Sequence, residues 1–264
     1  MGIGPRNGDP TIRRGNFDQA YSKDHAMNEF NVVIPSRLNS KRLSRKSLAM
    51  INGKPLIHWV YKKAIASAAK IVLIATDSEE IASVAASFGA DVEMTSKDHK
   101  SGTDRIFEVC ERRNWSDDQI VVNLQGDNPL MPSENINQIA QMMDDCDIAT
   151  LSAPIGEQEI ADPNVVKVLS DSVTNEAIFF KRKINTNEDQ ESLQRHIGIY
   201  AYRVRNLRQF SLSPQSEDEQ KEKLEQLRAY SLNMSIKVEE AESIPGPDVD
   251  TPDDLIMVES ILKK

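Results

Sequence analysis

The sequence has few of the features that mark several large classes of protein. Only two cysteines, Cys110 and Cys146, occur among 264 residues, and they form no CxxC pair. This usage predicts reduced, buried thiols rather than a disulfide framework. No apolar run is long enough to span a bilayer, and no apolar signal-peptide core follows the start. We therefore expect a cytoplasmic protein without membrane insertion.

Several enzyme and nucleotide-binding motifs are also absent. The four histidines form no HxxxH or HxH pair, which argues against a zinc enzyme. No Walker loop, GxGxxG fingerprint or GxSxG elbow occurs. The net charge of -9 makes nonspecific binding of nucleic acid or anionic membranes unfavourable. A small anionic ligand stays compatible with this charge, because local basic residues can oppose the global sign.

What the chain does contain is the composition of a globular protein, with 39% hydrophobic and 28% charged residues. Its length suits one large α/β domain or two small ones. Residues 1–28 are rich in glycine and proline and lack periodicity, so we predict a flexible tail there, with an appended regulatory arm as the alternative.

Apolar runs alternate with helical patterns in the first half of the chain. Three runs are apolar on both faces, at residues 30–34, 71–75 and 120–124. Such runs are typical of buried parallel strands, and helical patterns lie between them. We predict an α/β fold with a mostly parallel central sheet and helices on both faces. The second half is less regular, with predicted strands at 165–169, 197–202 and 235–238, helices at 219–232 and 252–262, and a loop at 185–192.

Polar side chains follow the three apolar runs. Arg37, Asp77 and Asp127 come at or soon after the ends of the predicted strands. Because ligands bind beyond the carboxyl ends of strands in such sheets, these side chains are predicted to converge on a ligand.

A basic loop follows the first predicted strand. Its cations, with no acidic residue among them, are Arg37, Lys41, Arg42, Arg45 and Lys46. They predict a cradle for a polyanion such as a triphosphate. The alternative is a solvated basic surface run, which is the usual fate of charge clusters.

Two aspartates are candidate magnesium ligands. Asp127 follows a buried strand and a glycine, and Mg²⁺ prefers one or two carboxylates together with phosphates and waters. The alternative for Asp127 is a helix N-cap. Asp250 precedes Thr251 and Pro252, which are good helix-start residues, so Asp250 is left free to bind metal.

Two further positions carry a structural and a functional interpretation. Ser101 opens a polar turn that can contact a ribose or a base, and the same serine suits a helix N-cap. His196 begins an apolar strand beside Arg195, where a lone histidine is more often structural than catalytic.

Short motifs in a fixed order resemble those of a known family. They are IPSR (34–37), NGKPL (52–56), ATD (75–77), SGTDR (101–105), QGD (125–127), PNVVK (163–167), HIGIY (196–200), LEQLR (224–228) and VDTPDDL (249–255). Each motif is weak alone, but their joint order from about residue 31 to the C-terminus resembles the 3-deoxy-manno-octulosonate cytidylyltransferases, or CMP-Kdo synthetases.

The resemblance implies a Rossmann-like nucleotide-diphospho-sugar transferase fold. Residues 29–264 would form one nucleotidyltransferase domain, with a sugar-binding and dimerisation subregion around 160–235. The implied reaction joins CTP to an acidic sugar, an ulosonic acid, for lipopolysaccharide or surface-polysaccharide synthesis. The resemblance also implies Mg²⁺ as cofactor and a homodimer as the assembly.

The resemblance also implies roles for individual residues. The nucleotide site would comprise Arg37, Arg42, Lys46, Ser101, Arg105 and Gln125. The sugar site would comprise Gln125, Arg182, His196, Tyr200, Glu225 and Gln226. Asp127 and Asp250 would bind magnesium, and the residues implied in catalysis are Lys46, Arg42 and Asp127.

The chain departs from the family pattern in three places. The usual Pro-Gly-Lys-Pro-Leu reads Ser44-Arg45-Lys46-Ser47-Leu48, the usual acidic residue after Gln-Gly-Asp is Asn128, and the segment between Arg182 and His196 is short. Two alternatives therefore remain, which are a cytidylyltransferase for a related sugar acid (amino-Kdo or a nonulosonate) and a non-catalytic nucleotide-binding homologue.

Overall fold

A computed structural model describes residues 28–38, 42–184 and 192–263. The predicted tail lies outside these residues apart from Asn28. Lys41 and the predicted loop at 185–192, apart from Ser192, also lie outside them.

The strands of the described chain are β1 (Phe30–Ser36), β2 (Met50–Ile51), β3 (Lys54–Pro55), β4 (Ile71–Thr76), β5 (Asp91–Met94), β6 (Ile120–Leu124), β7 (Ile148–Pro154), β8 (Lys167–Ser170), β9 (Ala177–Lys181), β10 (Gln194–Arg203) and β11 (Ile236–Glu240). The helices are α1 (Leu56–Ile65), α2 (Glu79–Ser87), α3 (Gly102–Arg112), α4 (Ser133–Gln141), α5 (Glu157–Ala161), α6 (Val204–Leu212), α7 (Glu217–Glu222), α8 (Leu227–Ser231) and α9 (Pro252–Leu262). Short 3-10 helices occupy Lys46–Leu48 and Met142–Asp144.

The main sheet has the strand order β11-β7-β10-β6-β1-β4-β5, and β8 and β9 extend it from β10. Strands β6, β1, β4 and β5 are parallel neighbours, as are β11 and β7. Strand β10 runs antiparallel to both β6 and β7 and joins the two parallel groups. The predicted α/β fold with a mostly parallel sheet is confirmed.

Helices cover both faces of the sheet because successive residues of its central strand point to opposite sides. In β1, Val32 and Ile34 enter one core cluster, with side chains of α1, α2 and α4, whereas Val33 enters the other, with side chains of α3, α6 and α8. The side chains of Val32, Val33 and Ile34 are fully buried, and burying each of them stabilises the fold by about 1.5–3 kcal/mol. A strand that is apolar on both faces is therefore the central strand, as its sequence predicts.

The predicted helix over residues 219–232 is wrong, because the chain leaves helical geometry in its middle. Lys223 adopts a left-handed conformation with φ 55° and ends α7, and α8 begins only at Leu227. The break places Glu225 and Gln226 in a turn. By contrast, the predicted helix at 252–262 coincides with α9.

Both cysteines are free thiols. Burial raises the pKa of Cys110 to about 12 and that of Cys146 to about 11. They are therefore protonated at neutral pH, although Cys146 is only partly buried. None of the helices in the described part of the chain is long and apolar enough to cross a membrane.

A buried ion pair holds the turn between α7 and α8 against α6. The Arg228 guanidinium donates to both carboxylate oxygens of Glu219, at 2.8 and 2.6 Å, and to the Phe210 carbonyl oxygen at 3.1 Å. The two charged side chains are only 3% and 4% exposed. Their pairing is needed because a lone buried charge is strongly unfavourable.

Replacing Glu219 by alanine should destabilise the protein by about 3–5 kcal/mol, because the buried Arg228 would lose its bidentate counter-ion and keep only the longer 3.8 Å contact with Glu225. Denaturant unfolding of the purified protein measures this change. The control is Asp117→Ala, which breaks the exposed Arg208–Asp117 pair and should cost less than about 1 kcal/mol. Equal losses for the two variants would contradict the assigned role of the buried pair.

Candidate active site

A cavity of about 180 Å³ lies at the carboxyl ends of the central parallel strands. Its lining comes from the segments after β1, β5 and β6 and from the start of α3, and comprises Pro35, Ser36, Arg37, Lys46, Ser47, His99, Ser101, Gly102, Arg105, Gln125, Gly126 and Asp127. The cavity lies at the edge of the sheet where the sequence predicts ligand binding, and Arg37 and Asp127 line it whereas Asp77 does not.

The floor of the cavity requires close contact between backbones. A methyl group on Gly126 would lie 2.9 Å from the Pro35 carbonyl oxygen, and one on Gly102 would lie 3.1 Å from the Pro35 ring. Two glycines therefore let the segment after β6 and the start of α3 approach the end of β1.

Lys46 joins the two aspartates that the sequence singled out. Its ammonium is 2.7 Å from Asp127 Oδ2 and 2.9 Å from Asp250 Oδ1, and the lysine side chain is 15% exposed. Burial lowers the pKa of Lys46, but the two carboxylates outweigh burial and raise it above its ordinary value. The lysine is therefore a fixed positive charge at the edge of the cavity.

Each carboxylate is held by local structure. Asp127 lies in the turn after β6, and its carbonyl oxygen accepts a 2.9 Å hydrogen bond from the Val249 N–H. Helix α4 begins only at Ser133, so the N-cap alternative for Asp127 is wrong. Asp250 precedes the capping box in which Thr251 and Asp254 bond reciprocally at the start of α9. The cap is complete without the Asp250 carboxylate.

The basic loop divides between the cavity and the surface. Arg42 is 62% exposed and lies 2.7 Å from Asp250, and Arg37 is exposed at the cavity edge. Arg45 instead pairs with Glu80 on α2. Arg37 and Lys46 line the cavity and Arg42 pairs with Asp250 outside its lining, so the anion cradle stays a prediction, whereas Arg45 fits the surface alternative.

Arg45 and Ser47 show how the departures from the family pattern are accommodated. Arg45 adopts φ 55° and ψ 33°, the left-handed region that glycine enters without strain. Ser47 is buried, and the Ser36 hydroxyl donates to its hydroxyl oxygen at 2.7 Å. Lys46, between them, still reaches the two carboxylates.

The opposite side of the cavity is built from fixed polar groups. Arg105 is 3% exposed, and its guanidinium donates to Asp77 at 2.8 Å, to the Thr95 hydroxyl and to the Ser96 carbonyl oxygen. Ser101 caps α3 by accepting a 3.1 Å bond from the Asp104 N–H, so its structural interpretation is confirmed. These groups give this wall a defined shape.

The predicted sugar residues fall in two groups. Gln125 lines the cavity and donates to Asn123 at 2.9 Å. Glu225 accepts a 2.8 Å bond from Thr103, which follows the cavity-lining Gly102 on α3, and Gln226 is buried next to Glu225 in the chain. Burial raises the pKa of Glu225 above its ordinary value.

The remaining three predicted sugar residues, like Glu225 and Gln226, do not line the cavity. His196 and Tyr200 lie on β10, with ring centres 5.5 Å apart, and His196 Nε2 is 3.0 Å from the Thr150 hydroxyl. Burial lowers the pKa of His196 to about 3 and raises that of Tyr200. Arg182 donates to backbone carbonyl oxygens, among them that of Glu222 at 3.3 Å.

Sequence reasoning missed His99, which lines the cavity and lies 2.5 Å from Glu108 on α3. The sequence feature that could have identified His99 is its position two residues before Ser101, in the segment that leads into the SGTDR motif. Residues that lie between recognised motifs escape a motif-based search unless the loop geometry is known.

Comparison with known proteins places these features in a family. Residues 31–236 match the cytidylyltransferase family model. The chain is 43% identical over 249 residues to a 3-deoxy-manno-octulosonate cytidylyltransferase of Pseudoalteromonas translucida (strain TAC 125), covering 89% of this chain and 98% of that protein. It is 42% identical over 258 residues to the protein of the same name from Pasteurella multocida (strain Pm70), covering 90% and 100%.

Solved structures agree with this placement. A CMP:2-keto-3-deoxy-manno-octonic acid synthetase complexed with CTP superposes with a TM-score of 0.82 at 37% identity, covering 89% of this chain and 99% of that one. A 4-diphosphocytidyl-2C-methyl-D-erythritol synthase, with a TM-score of 0.62 at 11% identity over 89% of this chain and 100% of that one, shares the fold.

The family resemblance of the sequence motifs is thereby confirmed over most of the chain. The chain belongs to the cytidylyltransferase family, among the 3-deoxy-manno-octulosonate cytidylyltransferases, and is an enzyme of the nucleotidyltransferase class.

Proposed function

We propose that this enzyme transfers the cytidylyl group of CTP to 3-deoxy-manno-octulosonate, giving the CMP-sugar and pyrophosphate. The observation that carries the proposal is the Lys46 ammonium between Asp127 and Asp250, at the edge of a cavity closed on its other side by Arg105 and Ser101. The names of the relatives support the choice of both substrates.

The charges at the cavity edge suit a triphosphate that arrives with a divalent cation. The basic side chains of Arg37, Arg42 and Lys46 barely outweigh the carboxylates of Asp127 and Asp250. The small net positive charge of these five side chains leaves most of the negative charge of a triphosphate uncompensated.

The donor set fits Mg²⁺, because two carboxylates already converge on one cation, the Lys46 ammonium. Within the described residues no group of three or more His, Cys, Asp or Glu side chains could hold a metal. Two carboxylates are nevertheless enough for Mg²⁺, which takes its other ligands from phosphates and water. Asp127 and Asp250 would hold the ion, which when bound neutralises phosphate charge.

In the proposed reaction, the anomeric hydroxyl oxygen of the sugar forms a bond to the α-phosphorus of CTP, and the hydroxyl proton passes to solvent water. The bond from that phosphorus to the β-phosphate bridging oxygen breaks, and pyrophosphate leaves with the electron pair. The contribution of the protein is positioning and charge neutralisation. Lys46 and Arg37 supply positive charge where the phosphates would lie, and the fixed Arg105–Asp77 pair keeps the opposite wall in place.

The group formed by Gln125, Glu225 and Gln226 is the proposed start of the sugar site, because Glu225 bonds to Thr103 on the helix that carries the cavity wall. A homodimer, a cytoplasmic location and a role in lipopolysaccharide or surface-polysaccharide synthesis belong to the same proposal, and the family membership supports them.

Purified protein should release pyrophosphate from CTP in the presence of Mg²⁺ and 3-deoxy-manno-octulosonate, and should release far less from UTP. A coupled pyrophosphate assay across a panel of ulosonic acids, including an amino-Kdo and a nonulosonate, measures this. Faster turnover of another panel member would reassign the sugar. CTP binding without turnover of any sugar would contradict the enzyme assignment for this substrate class.

Lys46→Ala should lower kcat/KM by roughly 100-fold, because it removes a fixed positive charge from the proposed phosphate site. Its thermal stability should stay close to that of the parent, since water and Mg²⁺ can reach the partly exposed aspartates. Lys54→Ala, which removes an exposed lysine outside the cavity, is the matched control and should retain activity. A loss of melting temperature large enough to explain the lost turnover would instead assign Lys46 a structural role.

Arg45→Gly should keep turnover close to the parental level, because Arg45 points to Glu80 and only the backbone at this position helps to place Lys46. The informative comparison is Arg45→Ala, which keeps a β-carbon in the left-handed conformation. The glycine variant should be the more stable of the two by about 1 kcal/mol, measured by denaturant unfolding. A more stable alanine variant would show that the backbone strain is unimportant.

A further inference from the structure

His99 and Glu108 form a polar pair on the wall of the cavity to which the proposed reaction assigns no role. His99 follows β5, and Glu108 lies on α3. The imidazole Nε2 is 2.5 Å from Glu108 Oε2, and the side chains are 21% and 18% exposed. A paired imidazole this close to the cavity is a candidate ligand contact.

Other groups fix the Glu108 carboxylate in place. It accepts a 2.8 Å hydrogen bond from the Ser96 N–H and pairs with Arg112 one turn along α3 at 2.5 Å. Burial opposes ionisation, but the Ser96, His99 and Arg112 contacts outweigh it and lower the pKa of Glu108. An ionised carboxylate only accepts hydrogen bonds, so His99 Nε2 carries the hydrogen.

Only the neutral form of the ring leaves the other nitrogen without a hydrogen, and the contact proposed below uses that form. In the neutral imidazole with hydrogen on Nε2, Nδ1 is a hydrogen-bond acceptor. Among the described residues, His99 Nδ1 has no hydrogen-bond partner, whereas Arg105 and Ser101 on the same wall already have theirs. An oriented acceptor without a partner is available for a ligand.

Strand order shows which part of a nucleotide this acceptor would meet. The Lys46–Asp127 group lies at the end of β6, and His99 lies beyond the end of β5, with β1 and β4 between these strands. Strands β6 and β5 are three strand spacings apart, or about 14 Å. If the phosphates lie beside Lys46, the nucleoside lies toward His99.

We propose that His99, oriented by Glu108, accepts a hydrogen bond through Nδ1 from the nucleoside part of CTP. The possible donors are the cytosine 4-amino group and the ribose hydroxyls. Uracil has a carbonyl oxygen in place of the amino group, so a contact to the base would also contribute to the choice of CTP over UTP. The proposal rests on the proposed function, and it makes Glu108 a positioning residue.

Calorimetric titration of the full-length protein with CTP, without sugar and at fixed Mg²⁺, tests the proposal. His99→Ala should weaken CTP binding about 5- to 10-fold, the value expected for one hydrogen bond. Binding of inorganic tripolyphosphate should be unchanged, because this probe lacks a nucleoside. Unchanged CTP affinity, or an equal loss for tripolyphosphate, would overturn the proposal.

Two conservative variants separate the ring atoms. Asparagine places its terminal polar atoms near the position of Nδ1, and glutamine places them near Nε2. His99→Asn should therefore recover much of the CTP affinity, while His99→Gln should resemble His99→Ala. For the positioning residue, Glu108→Gln keeps an acceptor for the Nε2 hydrogen and should bind CTP more tightly than Glu108→Ala. The reverse order in either pair would contradict the assigned geometry.

Nucleotide analogues identify the donor. If the 4-amino group is the donor, His99→Ala should no longer weaken binding when UTP replaces CTP. If a ribose hydroxyl is the donor, the effect should vanish with 2′-deoxy-CTP or 3′-deoxy-CTP. An effect that persists undiminished with all three analogues would overturn the nucleoside contact. Failure of the parent protein to bind CTP would instead reject the proposed function itself, and the two failures are therefore distinguishable.

Discussion

The Lys46 ammonium lies between the carboxylates of Asp127 and Asp250, and three distant chain segments meet through it. The lysine is 81 residues from one aspartate and 204 from the other. Without a cation between them, the two carboxylates would repel each other at the edge of the cavity. The parallel pairing of β1 with β6 brings the first two segments together, and the capping box of α9 fixes the third. The sheet and α9 together therefore position Lys46, Asp127 and Asp250 next to one another.

The two sides of the cavity use ionic groups in different ways. The ion pairs of Lys46 with the two aspartates are partly exposed, and the Arg42 side chain is mostly exposed. These basic groups and carboxylates can therefore exchange their protein partners for phosphates and a metal ion. Around Arg105 the guanidinium is almost fully buried against Asp77, and such a pair is costly to break. The first side is therefore suited to neutralising a ligand whose charge is redistributed during reaction. The second side is suited to keeping the cavity wall rigid. A ligand can form a hydrogen bond there only with a polar atom that has no hydrogen-bond partner within the protein.

The first half of the fold was predictable from the sequence because its strands are apolar on both faces and end in polar residues. Arg37 and Asp127 reach the cavity for that reason. The helix predicted across Lys223 was wrong because helical periodicity does not report a left-handed residue, and because the Arg228–Glu219 pair that fixes the turn depends on α6. The role of His99 was hidden for a similar reason, since its partner Glu108 becomes visible only once β5 and α3 are placed.

The altered basic loop keeps the position of Lys46 although the residues on both sides of the lysine differ from the family pattern. Arg45 occupies a left-handed position, where a side chain costs about 1–2 kcal/mol relative to a right-handed conformation. The chain tolerates this because the side chain leaves toward Glu80 and the backbone path is kept. Ser47 is buried against Ser36 and fixes the other side of the lysine. Since both neighbours keep Lys46 in contact with Asp127 and Asp250, the loop differs in sequence while preserving the arrangement of these three charges.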